Sequence, residues 1–426
     1  MLIIEQIREN PDRARQGLKK RNWTDDQIAV LDRIISLDDE RKAAQTQIDQ
    51  LLSETNQLSR EIGSVIQSGD KTKAEQLKAR VAALKSEIKA LEVNFSEIKS
   101  ELDNALVSIP NIPADEVVAG ASADDNFVFQ DWSKPFPQLP PGALPHWELA
   151  EKYGLFDMKA GADITGSGFI VYKGQGAKLQ RTLINYFLDY NTKAGYEEIL
   201  PPFMVNETSA YSTGQLPDKE AQMYYVEKDN LYLIPTAEVP ITNLWRDKIF
   251  REEDLPLRAT GYTPCFRREA GSYGAHVKGL NRVHQFDKVE IVRAEKAEHS
   301  YAALNEMVAH VSGLLESLEL PYRILRLCGG DMGFVSAMTY DFEVWSTAQE
   351  RWLEVSSVSN FETFQANRLK LRYKNKDGKN ELLHTLNGSS LALARIVASL
   401  LENHQQVDCI ALPKVLHSYF GDTKIS

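Results

Sequence analysis

Residues Tyr262 to Val292 read YTPCFRREAGSYGAHVKGLNRVHQFDKVEIV, and their pattern decides the fold. Two alternating segments flank a Gly-rich loop that is polar and partly basic (Ser272, His276, Lys278), which predicts two strands joined as a hairpin. In TPCFRREA the alternation puts Arg267 and Glu269 on one face, opposite Phe266 and Arg268. In VHQFDKVEIV it puts His284, Phe286, Lys288 and Glu290 on one side, with Val283, Gln285, Asp287, Val289 and Ile291 on the other. One floor therefore offers a fixed cation (Arg267), an aromatic plate (Phe286) and two carboxylates (Glu269, Glu290). Phosphate suits the guanidinium, a purine suits the ring, and a carboxylate can read an exocyclic amine or an ammonium. The plainer alternative is a half-buried hairpin with a solvated charged face, and alternation alone favours it.

The order FRREAGS, loop, RVHQFDKVE resembles motif 2 of the class II aminoacyl-tRNA synthetases, in the form used by seryl-tRNA synthetases of bacterial type. Other stretches of that family follow in order, so the resemblance covers essentially the whole chain. It implies an α+β fold: a class II synthetase-like antiparallel sheet flanked by helices, with an N-terminal antiparallel helical-hairpin (coiled-coil) arm. The expected divisions are a tRNA-binding arm over 1–106, a Pro-rich connector and strap over 107–160, and a class II catalytic domain over 161–426. The implied activity is ATP-dependent activation of L-serine to seryl-adenylate, then transfer of serine to the 3′ end of tRNA(Ser), with tRNA(Sec) a further candidate.

Composition sets outer bounds. A chain of 426 residues with 43% hydrophobic content can bury a large core and hold more than one domain. A net charge of −11 argues against a nonspecific nucleic-acid binder while leaving room for local basic faces. Cys265, Cys328 and Cys409 are scattered without metal-ligand spacing, as expected in a reducing compartment. The opening MLIIEQIREN is too short and too acidic for a targeting peptide, and no apolar run approaches a membrane span. The expectation is a soluble, cytoplasmic protein.

The N-terminal arm is legible without the resemblance. Asn10-Pro11-Asp12 is a helix start. Ile34, Leu37, Ala44, Ile48, Leu51, Leu58, Ile62 and Val65 share one heptad frame, with Arg41 and Thr55 as exceptions. After Ser68-Gly69-Asp70 the frame resumes as Leu77, Val81, Leu84, Ile88, Leu91, Phe95, Ile98 and Leu102. Two narrow apolar seams joined by a Gly turn predict an antiparallel hairpin with mostly wet faces, each limb about 45 Å long. Arg60, Lys71, Lys73, Lys78, Arg80, Lys85 and Lys89 gather around the tip and the return helix, mixed with acids. Charge alone fits a plain coiled coil. The resemblance instead implies a grip on the long variable arm of a tRNA, with Lys71, Lys73, Lys78, Arg80, Lys85 and the loop residue Lys278 as candidate contacts.

From Ile109 to Pro145 the chain is Pro-rich, and His146 to Leu155 reads as helical. Lys173-Gly-Gln-Gly-Ala177 opens a helix that feeds a strand ending at Pro201-Pro202. It lacks the spacing of a dinucleotide or P-loop fingerprint. It resembles motif 1, which implies a homodimer.

Three further stretches carry chemistry. Leu231 to Val239 predicts a strand, a turn at Pro235 and a helix start, where Thr236 and Glu238 are ordinary capping residues on their own. It resembles the family's serine-binding TAE element, which places Thr236, Ala237 and Glu238 beside Glu290, Arg267, Asn387 and Ser389 around serine. TYDFEVW (339–345) and RWLEVSSVSN (351–360) predict a second hairpin. There Glu354 and Ser357 match the family's Mg2+ ligands, and oxygen donors shared with phosphates suit that ion. In HTLNGSSLALARIVASLLEN (384–403), Asn387-Gly388 predicts a turn, Ser389 or Ser390 a cap, and Ile396, Val397 and Leu400 the buried face of a helix. Arg395 inside that helix would ordinarily snorkel; it matches the motif 3 arginine that clamps ATP. The implied ATP contacts are Arg267, Arg268, Glu269, Arg282, Val283, Phe286, Glu354, Val355, Ser356, Ser357 and Arg395, of which Arg267, Glu354 and Arg395 carry the chemistry.

Some positions depart from the family pattern. Ser390 stands where a glycine is usual, and Tyr273, Ala275, His276 and Lys278 where arginines and an aspartate are common. Val358, Phe361, Thr363 and Asn367 replace frequent cysteines, Asp and Arg. Two rival functions remain: a synthetase-like ligase that loads an amino acid on a carrier protein, and a non-catalytic scaffold. The heptad arm argues against the first. The presence of Arg267, Glu269, Glu354 and Arg395 together argues against the second.

Overall fold

The computed structural model describes residues 1–218, 220–269 and 278–426. Ser272, Tyr273, Ala275 and His276 of the Gly-rich loop lie outside the described residues. The chain forms two compact units, one of Met1–Lys19 with Trp23–Pro110 and one of Lys20–Asn22 with Asn111–Ser426.

In the first unit, Asn10 caps the Pro11–Lys20 helix by accepting from the Arg13 amide at 3.0 Å. Helices α1 (Val30–Gln67) and α2 (Lys71–Ser108) then run antiparallel, 38 residues each. At 1.5 Å per residue that is about 57 Å, longer than the seams alone suggested. The predicted seams are the packed ones: Ile34, Leu37, Ala44, Ile48 and Val65 on α1 and Leu84, Ile88 and Leu102 on α2 are buried. At the tip Gly69 takes a left-handed φ of 82°, and Asp70 caps α2 by accepting from the Lys73 amide at 3.0 Å. Part of the basic set is spent within the arm, since Lys73 pairs with Glu61, Lys78 with Glu75 and Arg80 with Glu54.

The second unit is organised by an eight-stranded sheet. Its strands are β1 (Phe127–Gln130), β2 (Glu197–Glu198), β3 (Leu257–Phe266), β4 (Gln285–Glu295), β5 (Tyr322–Arg326), β6 (Met338–Ser346), β7 (Arg351–Asn360) and β8 (His384–Ala392). They lie in the order β1-β5-β6-β7-β8-β4-β3-β2 and pair antiparallel, except β2 with β3. Helices α3 (His146–Tyr153), α4 (Gly174–Lys193), α5 (Glu238–Asn243), α6 (Ser300–Ser317), α7 (Thr363–Leu369) and α8 (Leu393–Asn403) surround it. One core joins α4, α6 and α8 to the sheet through residues such as Leu183, Met307, Phe342 and Val397.

Three local expectations are corrected. Strand β4 is not half-buried: every residue from Lys288 to Glu295 is buried, because β4 runs between β3 and β8 under helices, whereas β3 keeps the alternation from Gly261 to Phe266. Strand β3 ends at Phe266, so Arg267 to Glu269 lie beyond it. The amides of Arg268 and Glu269 turn instead to Gln222, at 2.9 and 3.2 Å, and Glu269 takes a φ of 49°. Asn387-Gly388 makes no turn and neither Ser389 nor Ser390 caps a helix. Strand β8 continues to Ala392, and α8 starts at Leu393. Pairing on both edges of this central strand (Gly388 opposite Ile291 and Val358) outweighs the local turn preference of the dipeptide.

Candidate active site

At the middle of β4, two buried acids meet. Glu290 is fully buried, opposite Gly261 of β3 and Ser389 of β8. Its carboxylate accepts from the Thr236 hydroxyl, from the Glu238 amide at 2.8 Å and from Asn387 Nδ2 at 3.3 Å. Lys288 Nζ lies 2.7 Å from it and donates to Thr236 Oγ1 at 3.1 Å. With that oxygen occupied by an ammonium donor, the Thr236 hydrogen points at Glu290. Glu238, also buried, accepts from Gln365 Nε2 at 2.5 Å and Asn387 Nδ2 at 2.9 Å. Gln365 is held in turn by the Thr385 hydroxyl at 2.7 Å. Burial, and then the charge of Glu290, push the Glu238 carboxyl up to about 7, while Lys288 and Arg267 pull the other way. Thr236 and Glu238 are therefore not mere capping residues; they belong to a buried polar cluster together with Glu290 and Asn387.

Beyond this cluster lies a cationic and aromatic shelf. The Arg267 amide donates to the His284 carbonyl at 2.9 Å, and its guanidinium lies 5.4 Å over the Phe286 ring. The Glu269 carboxylate is gripped by Arg282, and Val283 is buried beside them. Lys278 sits 4.5 Å over the Trp147 ring rather than free in solvent.

The β6–β7 hairpin supplies the third corner. Arg395 is drawn in rather than snorkelling: Nη1 donates to the Glu354 carbonyl at 2.6 Å and Nε to the Asn281 carbonyl at 3.0 Å. The Glu354 carboxylate stands 3.6 Å from the same guanidinium. Asp341 pairs across the hairpin with Ser357, and one of its carboxylate oxygens is buried without a partner. Burial, and then the charge of Glu354, push the Asp341 carboxyl well above the usual carboxylate range. An orphaned buried oxygen beside Ser357 and Glu354 fits a hard cation that takes one or two carboxylates and completes its shell with phosphates. Among the described residues no group of three or more His, Cys, Asp or Glu could hold a metal ion. Val355 is buried, and the Ser356 hydroxyl is spent on the Ser389 carbonyl at 2.6 Å, so these two offer a ligand only their backbone.

Ser390, the departure from glycine, is accommodated behind the site. Its hydroxyl donates to Asn191 Oδ1 of α4 at 2.8 Å. Asn191 also accepts from His310 Nε2 at 2.7 Å and donates to Thr260 Oγ1 at 2.9 Å. Thr260 donates to the Glu290 carbonyl at 2.7 Å.

Reading from sequence missed Lys288, Gln365 and Asp341. Lys288 stood between Phe286 and Glu290 on the same face, and that spacing was signal enough. Gln365 and Asp341 left no local sign.

Comparison with known proteins gives the family. Residues 1–113 match the seryl-tRNA synthetase N-terminal domain, and residues 224–404 the class II tRNA synthetase core domain (G, H, P, S and T). A serine–tRNA ligase of Salinibacter ruber is 46% identical over 100% of this chain and 99% of its own. One from Acidithiobacillus ferrooxidans is 46% identical over 99% and 98%. Among solved structures, a seryl-tRNA synthetase of Pyrococcus horikoshii complexed with ATP superposes with a TM-score of 0.91 at 33% identity, covering 100% of this chain and 99% of that one. A cytoplasmic serine–tRNA ligase of Naegleria fowleri in complex with AMP gives 0.88 at 28%, with the same coverage.

Proposed function

The chain belongs to the seryl-tRNA synthetase family, and on that basis we propose how its residues divide the work of activating serine with ATP and passing it to tRNA. The observation that carries the assignment is the buried Thr236–Glu238–Glu290–Asn387 cluster beside the Arg267–Phe286 shelf. Two carboxylates against one buried lysine leave a site that favours an ammonium, so Glu290 and Glu238 hold the serine amino group and Thr236, Asn387 and Ser389 read its hydroxyl. Adenine stacks on Phe286 with its amine toward Glu269. Arg267 neutralises the α-phosphate as the serine carboxylate attacks it and pyrophosphate leaves, and Arg395 and Arg282 take up the charge of that leaving group. Glu354, Ser357 and Asp341 would hold magnesium, which when bound neutralises charge on the β- and γ-phosphates. Positioning and preorganised charge suffice for this step, and no protein nucleophile is required. The terminal ribose hydroxyl of tRNA then attacks the seryl carbonyl and AMP departs.

The partners follow from the same reading. The arm (1–106) grips tRNA(Ser), the strap (107–160) leads into the catalytic domain (161–426), and tRNA(Sec) is a second acceptor to assay. A homodimer forms over α4, where Arg181, Ile184 and Leu188 line a cavity of about 520 Å³ with the 75% exposed Leu200. No helix among the described residues is long and apolar enough to cross a membrane; the proposed work on tRNA is what assigns the protein to the cytoplasm. Loading of a carrier protein is disfavoured by the match of the arm to a seryl-tRNA synthetase domain.

The deciding experiment is amino-acid-dependent pyrophosphate exchange across the full amino-acid set. Serine alone should support it. Alanine should fall at least about tenfold behind, since the buried groups that read the hydroxyl would be left unpaired. Equal exchange with alanine would overturn the serine pocket.

A second result concerns pH. kcat/KM reports groups of the free enzyme, and the ammonium contact needs Glu238 ionised. With its carboxyl pushed up to about 7, kcat/KM for serine should rise as pH increases through that region. The rise should vanish in Glu238→Gln, and an unchanged profile in that variant would remove Glu238 from the substrate contacts.

A further inference from the structure

Behind the nucleotide shelf lies a closed ring of hydrogen bonds that the chemistry does not use directly. His146, the first residue of α3, is fully buried, as is Glu402 near the end of α8. His146 Nδ1 lies 2.7 Å from Glu402 Oε1, and the His146 amide donates to the same oxygen at 3.1 Å. On the far side of the ring, Nε2 accepts from the Leu280 amide at 2.9 Å. A backbone amide can only donate, so Nε2 keeps its lone pair and the ring proton sits on Nδ1, aimed at Glu402. Glu402 also accepts from the Ser346 hydroxyl and from Gln349 Nε2 at 3.0 Å. Gln349 Oε1 accepts from Asn281 Nδ2 at 3.0 Å, and Asn281 is the residue after Leu280, which closes the circuit. The Asn281 carbonyl is the one that receives Arg395 Nε, and Arg282, the partner of Glu269, comes next.

Gly279 shows how tightly this limb is seated. Its φ is +70°, and a Cβ placed there would stand 2.1 Å from His146 Nε2. The chain passes the imidazole closer than any side chain permits.

We propose that His146 and Glu402 are positioning residues: they touch neither serine nor nucleotide, but fix the Gly279–Asn281 limb and thereby the placement of Arg395 and Arg282 on the phosphates. A buried His–Glu pair could serve stability alone, and that is the reading to beat. It does not account for the convergence of the two ends of the circuit on the adjacent residues Leu280 and Asn281, nor for a glycine that admits the ring to the loop. The inference rests on the reading of Arg395 as a nucleotide clamp.

The test is pyrophosphate exchange with separate KM values for ATP and serine, run on full-length His146→Ala, His146→Gln, Gly279→Ala and Arg395→Ala, with a thermal melt of each. His146→Ala should raise KM for ATP on the order of tenfold or more and lower kcat, while KM for serine moves by less than about twofold. His146→Gln, which keeps one donor and one acceptor, should recover part of the loss. Gly279→Ala keeps both members of the buried pair in the sequence but sets a methyl against the imidazole and strains the limb, so it should reproduce the ATP-selective defect even if His146→Ala folds poorly. The two together should be less than the product of the single effects. A folded His146→Ala or Gly279→Ala with unchanged KM for ATP, beside an impaired Arg395→Ala, overturns the positioning role alone. An Arg395→Ala enzyme with unchanged KM for ATP and unchanged kcat overturns the clamp reading and this inference with it.

Discussion

Arg267→Ala slows adenylate formation by two to three orders of magnitude while the protein remains folded. The guanidinium is the fixed cation of the floor, lying over Phe286 just past the end of β3, with its backbone pinned to His284. A preorganised donor at the point where charge develops is worth roughly 3–4 kcal/mol. Single-turnover formation of seryl-adenylate measures this without interference from tRNA. KM for serine should change less than the rate, because the ammonium is held by Glu290 and Glu238 rather than by this arginine. Near-normal single-turnover adenylation in Arg267→Ala would remove it from the chemistry.

Excising the hairpin between Leu37 and Leu102, with a short Gly linker in its place, leaves serine-dependent pyrophosphate exchange largely intact and collapses the charging of tRNA. The arm carries its own seam, from Ile34 to Val65 on α1 and Leu84 to Leu102 on α2, and belongs to a compact unit separate from the sheet. The loss should be one of tRNA binding, seen in filter or mobility-shift titrations. The double change Lys78→Glu with Lys85→Glu is a milder form. It should weaken binding and flatten its salt dependence, because each phosphate left without its lysine takes away part of the log–log slope, about 0.9 for duplex DNA. Unchanged aminoacylation after excision would reduce the arm to an ordinary coiled coil.

The parts legible in sequence were those whose signal is periodic. Period two placed Phe286 and Glu290 on one face, and heptads drew the arm almost residue by residue. The failures have a common cause in tertiary context. Asn387-Gly388 has the composition of a turn, yet neighbours on both edges keep it extended. Arg267 to Glu269 continue an alternating pattern, yet the amides of Arg268 and Glu269 find Gln222 and leave the sheet. The partners that turn Thr236 and Glu238 from capping residues into a pocket lie 54 and 149 positions away, at Glu290 and Asn387. Asp341 has its orphaned oxygen only because β6 and β7 pair in the observed register. Family resemblance pointed to Thr236 and Glu238 as more than capping residues; periodicity could not.

The link from Ser390 to Asn191 couples two positions far apart in the chain. A hydroxyl at a buried position is tolerated only where an acceptor waits, and Asn191 is that acceptor, itself tied through Thr260 to the backbone of Glu290. The two positions are therefore epistatic. Replacing Asn191 by leucine should cost more with serine at 390 than with glycine there, since the Ser390 hydroxyl is then a further buried group left unpaired beside His310 and Thr260. The identity of a residue on β8 is thereby tied to one on α4, the helix proposed as the dimer face.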